Sequence, residues 1–219
     1  MDDRESNYFS EGFNFVKLGK YSDALASFDK AIAIKPNDAN TWNNRGVALG
    51  NLGQFEEALT SFDKAIAIEP NDADVWYNRG FALISLSKYT EAVESIDKAI
   101  AINPNDAKTW FSLGVALSNL EKYSEAVDSY DKAIAINPND ADVWYNRGVV
   151  LGNLGQYTEA AASFEKVCTI KPDYTNAWHH RGNALRDLKR YKEAVDSYDK
   201  AIAINPQDIH AWYDRGLAL

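Results

Sequence analysis

The stretch from Ala39 to Asp72 reads ANTWNNRGVALGNLGQFEEALTSFDKAIAIEPND, and its two halves carry different apolar patterns. In the first half Trp42, Val47, Leu49 and Leu52 surround a small Gly46. This suits a helix packed on two sides, termed helix A. After Gly53 and Gln54, the residues Phe55, Ala58, Leu59, Phe62, Ala65 and Ile66 recur at steps of three and four. That is the period of an amphipathic helix, termed helix B. Pro70 ends helix B, because proline disfavours a helical conformation in the residue before it, and Asp72 is placed to cap the next helix A. Gly46 and Ala58 are expected to lack bulk where helices A and B approach, with Phe62 and Ile66 filling the space between units and the Trp, Ala and Ile positions supplying the core.

The pattern repeats. Trp42, Trp76, Trp110, Trp144, Trp178 and Trp212 stand 34 residues apart and are all the tryptophans of the chain. Seven glycines (Gly12 to Gly216), six alanines (Ala24 to Ala194) and six prolines (Pro36 to Pro206) keep the same phase. The repeats are 5–38, 39–72, 73–106, 107–140, 141–174 and 175–208, with a half repeat at 209–219. One such unit cannot bury its apolar face alone, whereas stacked neighbours can. The expectation is an all-α fold over 1–219 as a single array: an α-solenoid of six A–B pairs and a last helix A, thirteen helices in all.

Through Trp42, Gly46, Phe55, Ala58, Phe62, Ala65 and Pro70 and their equivalents one period on, the chain resembles the tetratricopeptide-repeat (TPR) family. The resemblance implies a right-handed superhelix with a concave groove that holds a peptide or protein segment. Departures from the family pattern are local. Tyr8 replaces Trp, Val167-Cys168 replaces Ala-Ile, and Arg45, Arg79, Arg147, Arg181 and Arg215 stand where the family often has Leu. A guanidinium there can hydrogen-bond a neighbouring carbonyl or reach a ligand carboxylate, and the structural role is the expected one.

Composition excludes several function classes. A formal charge of −9 argues against nucleic acid and anionic membranes as partners. With one cysteine, no long apolar run and no apolar stretch in the opening MDDRESN, the expected setting is cytoplasmic, without disulfides. There is no Gly-rich phosphate loop and no Cys-x-x-Cys or His-x-x-x-His spacing, so the expectation is a non-enzyme with no cofactor and no metal site. Cys168 takes an Ile position and reads as a small buried hydrophobe. The pairs Asp29-Lys30, Asp63-Lys64, Asp97-Lys98 and Asp131-Lys132 read as solubilising surface. His179, His180 and His210 are the only histidines, and no carboxylate partner for them is evident in the sequence.

The family resemblance turns one stripe of helix A towards the groove. Here it comprises Asn43, Asn44 and Val47; Tyr77, Asn78 and Phe81; Phe111, Ser112 and Val115; Tyr145, Asn146 and Val149; His179, His180 and Asn183; and Tyr213 and Asp214. Residues one, four and five steps apart share a helix face, and this one mixes aromatics with carboxamides where an idle surface would favour Lys and Glu. Asn44, Asn78 and Asn146 resemble the asparagine ladder of the O-linked N-acetylglucosamine transferases, with Ser112 and His180 interrupting it. An amide both donates and accepts, which suits a peptide backbone of any sequence. The Lys and Arg with which co-chaperone repeats clamp acidic chaperone tails are missing, since Phe9, Asn44 and Ser112 stand there.

The function expected is therefore a protein–protein interaction scaffold with a protein or peptide ligand. The alternatives are a regulatory or substrate-recognition domain of a larger enzyme and a self-associating array. The final helix A carries Trp212, Leu217 and Leu219 with no helix B after it, so weak self-association through the C-terminal helix is also expected.

Overall fold

The computed structural model describes residues 3–219, with side chains from Glu5 onward; Met1 and Asp2, at the start of the stretch read above for a leader, lie outside it. Thirteen helices follow in order: α1 (Asp3–Lys17), α2 (Tyr21–Ile34), α3 (Ala39–Asn51), α4 (Phe55–Ile68), α5 (Ala73–Ser85), α6 (Tyr89–Ile102), α7 (Ala107–Asn119), α8 (Tyr123–Ile136), α9 (Ala141–Asn153), α10 (Tyr157–Ile170), α11 (Thr175–Asp187), α12 (Tyr191–Ile204) and α13 (Ile209–Leu217). Odd-numbered helices are helix A of their repeats and even-numbered ones helix B, and there is no strand among the described residues. Among the described residues no helix is long and apolar enough to cross a membrane. The chain divides into two compact units, one up to Asn105 with α1 to α6 and one from Asp106 with α7 to α13. Within each unit every helix B packs on the helix A before it, and α2, α4, α8, α10 and α12 pack also on the helix A after it.

Local chemistry sets the helix ends. Asp38, Asp72, Asp106, Asp140 and Asp208 cap their helices A by accepting backbone N–H groups of the first turn. Tyr174 stands in that place before α11 and provides no side-chain cap. The turn from A to B needs one residue in the left-handed region. Gly53 adopts φ 77° without strain, but Ser87, Glu121 and Lys189 take φ near 60° in the equivalent turns.

Two core expectations are corrected. The repeated glycine makes room for a side chain of helix B rather than for its backbone, a ring at five positions and Ile96 at Gly80. A Cβ on Gly46 would stand 2.5 Å from the Phe62 ring, and one on Gly114 would stand 2.5 Å from the Tyr130 ring. Phe62 also joins a cluster with Val75 and Ala82 of the next repeat, so one ring fills both spaces. The tryptophans, expected in the core, are half-buried, and Trp212 is 51% exposed. Their role lies in the turn between repeats, where the indole Nε1–H of Trp42, Trp76, Trp144, Trp178 and Trp212 donates to the carbonyl of the proline six residues back, at 2.8 to 3.1 Å. The core proper consists of Phe28, Phe62, Ile96, Tyr130, Phe164 and Tyr198 with the repeated alanines.

The arginines staple three helices together. Arg45 on α3 donates from Nε to Asp29 of α2 (2.7 Å) and from Nη1 to the Ser61 hydroxyl of α4 (2.8 Å), and its guanidinium lies over Trp42. Arg79 repeats this with Asp63 and Ser95, and Arg147 with Asp131 and Ser163. The partners are thus a carboxylate and a hydroxyl, not a carbonyl or a ligand. Asp29, Asp63 and Asp131 correspondingly hold ion pairs, where the sequence reading made them only solubilising surface. Arg181 is the exception. Glu165 replaces the aspartate at 3.8 Å, and the Arg181 Nε is left buried without a partner. Cys168 is buried and its thiol is pushed up to about 12 by desolvation, so it is an inert hydrophobe.

Candidate functional site: the helix A face

The stripe read from the sequence lies on the exposed-to-intermediate side of the helices A. In the first unit Asn43, Asn44, Val47, Tyr77 and Asn78 are half-buried and Phe81 is 51% exposed. In the second unit Phe111, Val115, Tyr145, Asn146, Val149, His179, His180, Asn183 and Asp214 are half-buried, and Tyr213 is 67% exposed. Ser112 is buried, so its hydroxyl is not presented on this face. The amides differ in how they are held. Asn44 and Asn146 each donate one Nδ2 hydrogen to the carbonyl four residues back, at 2.8 Å, which keeps the side chain along the helix and leaves Oδ1 without a partner among the described residues. Asn78 instead donates from Nδ2 to Asn43 Oδ1 of the preceding repeat at 3.1 Å.

The same step of 35 residues joins His179 to Asp214, with Nε2 and Oδ2 2.7 Å apart, and Arg186 closes on the other oxygen of Asp214 at 2.8 Å. His179 therefore has a carboxylate partner, which the sequence reading did not find. The two residues become neighbours only when repeats stack. Beside them His180 stacks on Phe164 (ring centroids 5.4 Å apart) and meets the edge of Tyr145 (5.6 Å). Burial, then the neighbouring His179, presses the pKa of His180 below its ordinary value. Because the unfolded chain binds that proton more readily, stability is full above about pH 6.5 and falls as pH drops from there towards the lowered folded-state value. Urea midpoints measured between pH 7.5 and 5 are expected to fall with acidification in the wild type and to fall less in His180→Asn, the residue found at Asn78 and Asn146. Equal slopes would refute this source of the dependence.

Two clefts open on this face, one in each unit, at equivalent positions 102 residues apart. The first, of about 120 Å³, lies between α3, α4 and α5 over the Phe62 ring, with Val47, Phe55 and Phe81 around it. The second, of about 250 Å³, lies between α9, α10 and α11 over the Phe164 ring, with Val149, Tyr157 and His180 around it. Sequence reading missed both. Their one sequence signal is the recurrence of Leu-Gly-Asn-Leu-Gly at 49–53 and 151–155, which brings Gly50 and Gly152 to the lip of the clefts. Among the described residues no group of His, Cys, Asp and Glu is arranged to hold a metal ion.

The TPR repeat family model matches residues 12–53, 119–155 and 182–219, more than half of the chain. Tetratricopeptide repeat models also match 39–72, 73–106 and 141–174, and 96–128. The chain belongs to the tetratricopeptide-repeat family. Among solved structures it is similar to YrrB, a TPR protein with an unusual peptide-binding site, at 27% identity and TM-score 0.78, covering 86% of this chain and 97% of that one. It is also similar to MamA from Desulfovibrio magneticus RS-1, at 25% identity and TM-score 0.75 over 80% of this chain and 98% of that one. Pseudomonas aeruginosa pilF shares the fold over 99% of this chain and 98% of its own, at 17% identity and TM-score 0.80. No curated protein matches the chain.

Proposed function

We propose that the chain is a protein-interaction scaffold and that in each unit the helix A face holds an extended segment of a partner. The observation that carries this is the pair Asn44 and Asn146, each fixed by one intrahelical hydrogen bond and each presenting an unpaired carbonyl oxygen on the surface beside aromatic and aliphatic side chains. An amide so oriented offers a fixed acceptor and one remaining donor to a peptide backbone, which recognises extended chain rather than a particular sequence. Side-chain choice then falls to the neighbouring Tyr77, Phe81, Tyr145 and His180. The likeness to YrrB, whose peptide-binding site is recorded, supports the reading.

Peptides selected from a random displayed library on the immobilised chain test it. Asn44→Ala with Asn146→Ala is expected to weaken the selected peptides by roughly tenfold, about one net hydrogen bond to the backbone. The same variant should leave the urea midpoint unchanged, because neither amide belongs to the core. Unchanged affinity in the double variant would reject these amides as backbone holders.

A further inference from the structure

Gly50 and Gly152 sit in the last turns of α3 and α9 with ordinary helical dihedrals, and a Cβ on either would meet no atom within 4 Å. Glycine weakens a helix, so a helical glycine without a steric or conformational reason needs another one. Here the reason is the cleft: other repeats carry Ile84, Ser118 and Arg186 at this position, whereas Gly50 and Gly152 leave the space open.

The two clefts share an aromatic floor and differ at their mouths. Asn78, Phe81 and Ser85 of the first unit correspond to His180, Asn183 and Asp187 of the second. Phe81 narrows the first cleft, which no charged side chain lines. In the second, Asn183 widens the space and Asp187 stands at the rim, at the C-terminal end of α11, where the helix dipole is negative. Arg186 does not cancel that charge. It is divided between Asp214 at 2.8 Å, which His179 also meets at 2.7 Å, and Asp187 at 3.4 Å. No Lys or Arg lines either cleft. The second is therefore lined by the rings of Tyr157 and His180, with Phe164 stacked on His180, beside a carboxylate, in a chain of net charge −9.

We propose that the cleft of the second unit is a socket for an arginine side chain of a partner segment, and that its counterpart in the first unit takes an uncharged aliphatic one. This rests on the reading of the helix A face as a peptide-holding surface. The methylene stem of an arginine lies along the apolar walls, its planar guanidinium stacks on the rings, and its charge meets Asp187. A cavity of about 150 Å³ accommodates a benzene-sized group, so about 250 Å³ leaves room for the stem and the head.

The test titrates the ¹⁵N-labelled full chain with N-acetyl-arginine amide and, separately, with N-acetyl-norleucine amide. The arginine probe is expected to move the backbone signals of Gly152, Asn153, Asn183 and Ala184, and the norleucine probe those of Gly50, Asn51 and Ala82. Asp187→Ser, which installs the residue of the first unit, is expected to weaken the arginine probe roughly fivefold, the scale of one exposed charge pair. Gly152→Ile, which installs the residue of the 73–106 repeat in open space, is expected to abolish its binding while signals elsewhere stay in place. Arginine shifts at both clefts alike or at neither, or an Asp187→Ser titration identical to wild type, would overturn the proposal. The two readings also fail separately. A chain that selects no peptide sinks the peptide-holding surface, whereas one that selects peptides without a basic residue sinks only the arginine socket.

Discussion

Tyr130→Ala is expected to destabilise the chain by about 3 to 5 kcal/mol, the usual loss when a fully buried aromatic side chain is emptied. Tyr130 is 1% exposed, its ring lies against Gly114, and it tilts onto Phe111 with centroids 6.0 Å apart. Trp144→Ala, although it removes a larger side chain, is expected to cost only about 2 kcal/mol. That tryptophan is half-buried, and its loss removes a net hydrogen bond of about 1 kcal/mol to the Pro138 carbonyl together with partial burial against Arg147. The comparison replaces the sequence-based view of Trp110 and its equivalents as the core, since Trp110 too is half-buried. Urea titrations followed by circular dichroism, with hydrogen exchange to localise the loss in a repeat array, measure both. A Trp144→Ala loss equal to or greater than that of Tyr130→Ala would reverse the assignment of core and turn anchor.

The second large effect separates two kinds of glycine that look alike in sequence. Gly114→Ala puts a Cβ 2.5 Å from the Tyr130 ring, which is itself walled in, so the ring or the helix must move. Overpacking of this kind is expected to destabilise by about 1 to 3 kcal/mol. Gly152→Ala puts a Cβ into open space on a helix and is expected to stabilise by about 0.5 to 1 kcal/mol, the ordinary helix preference of alanine over glycine. Opposite signs in matched urea titrations are the expected result. Destabilisation by both substitutions would mean that Gly152 is held for packing, and would remove the reason to see its cleft as an opening kept clear.

The arginine staples show why part of the structure stayed illegible. Asp29, Arg45 and Ser61 stand sixteen residues apart in turn, and Asp63, Arg79 and Ser95 repeat the interval. That signal was available in the sequence, but an interval of sixteen means nothing until helices A and B are folded back on one another. The histidines make the same point at a longer step. His179 and Asp214 are 35 residues apart, one more than the period, and only the stacking of successive helices A brings that offset into contact.

The helices themselves were written locally. Apolar steps of three and four, Pro70 and its equivalents, and the capping aspartates before every later helix A but α11 mark the helices, because these are interactions within a few residues, and the 34-residue phase repeats them through the chain. The sequence alone therefore determined the fold class and the helix count. Tertiary structure decided which large side chains are buried, which glycines are crowded by a ring and which stand beside empty space, and which charges meet. Those outcomes depend on distances between residues from different helices, and a linear pattern fixes the neighbours along a helix but not the atoms that pack across it.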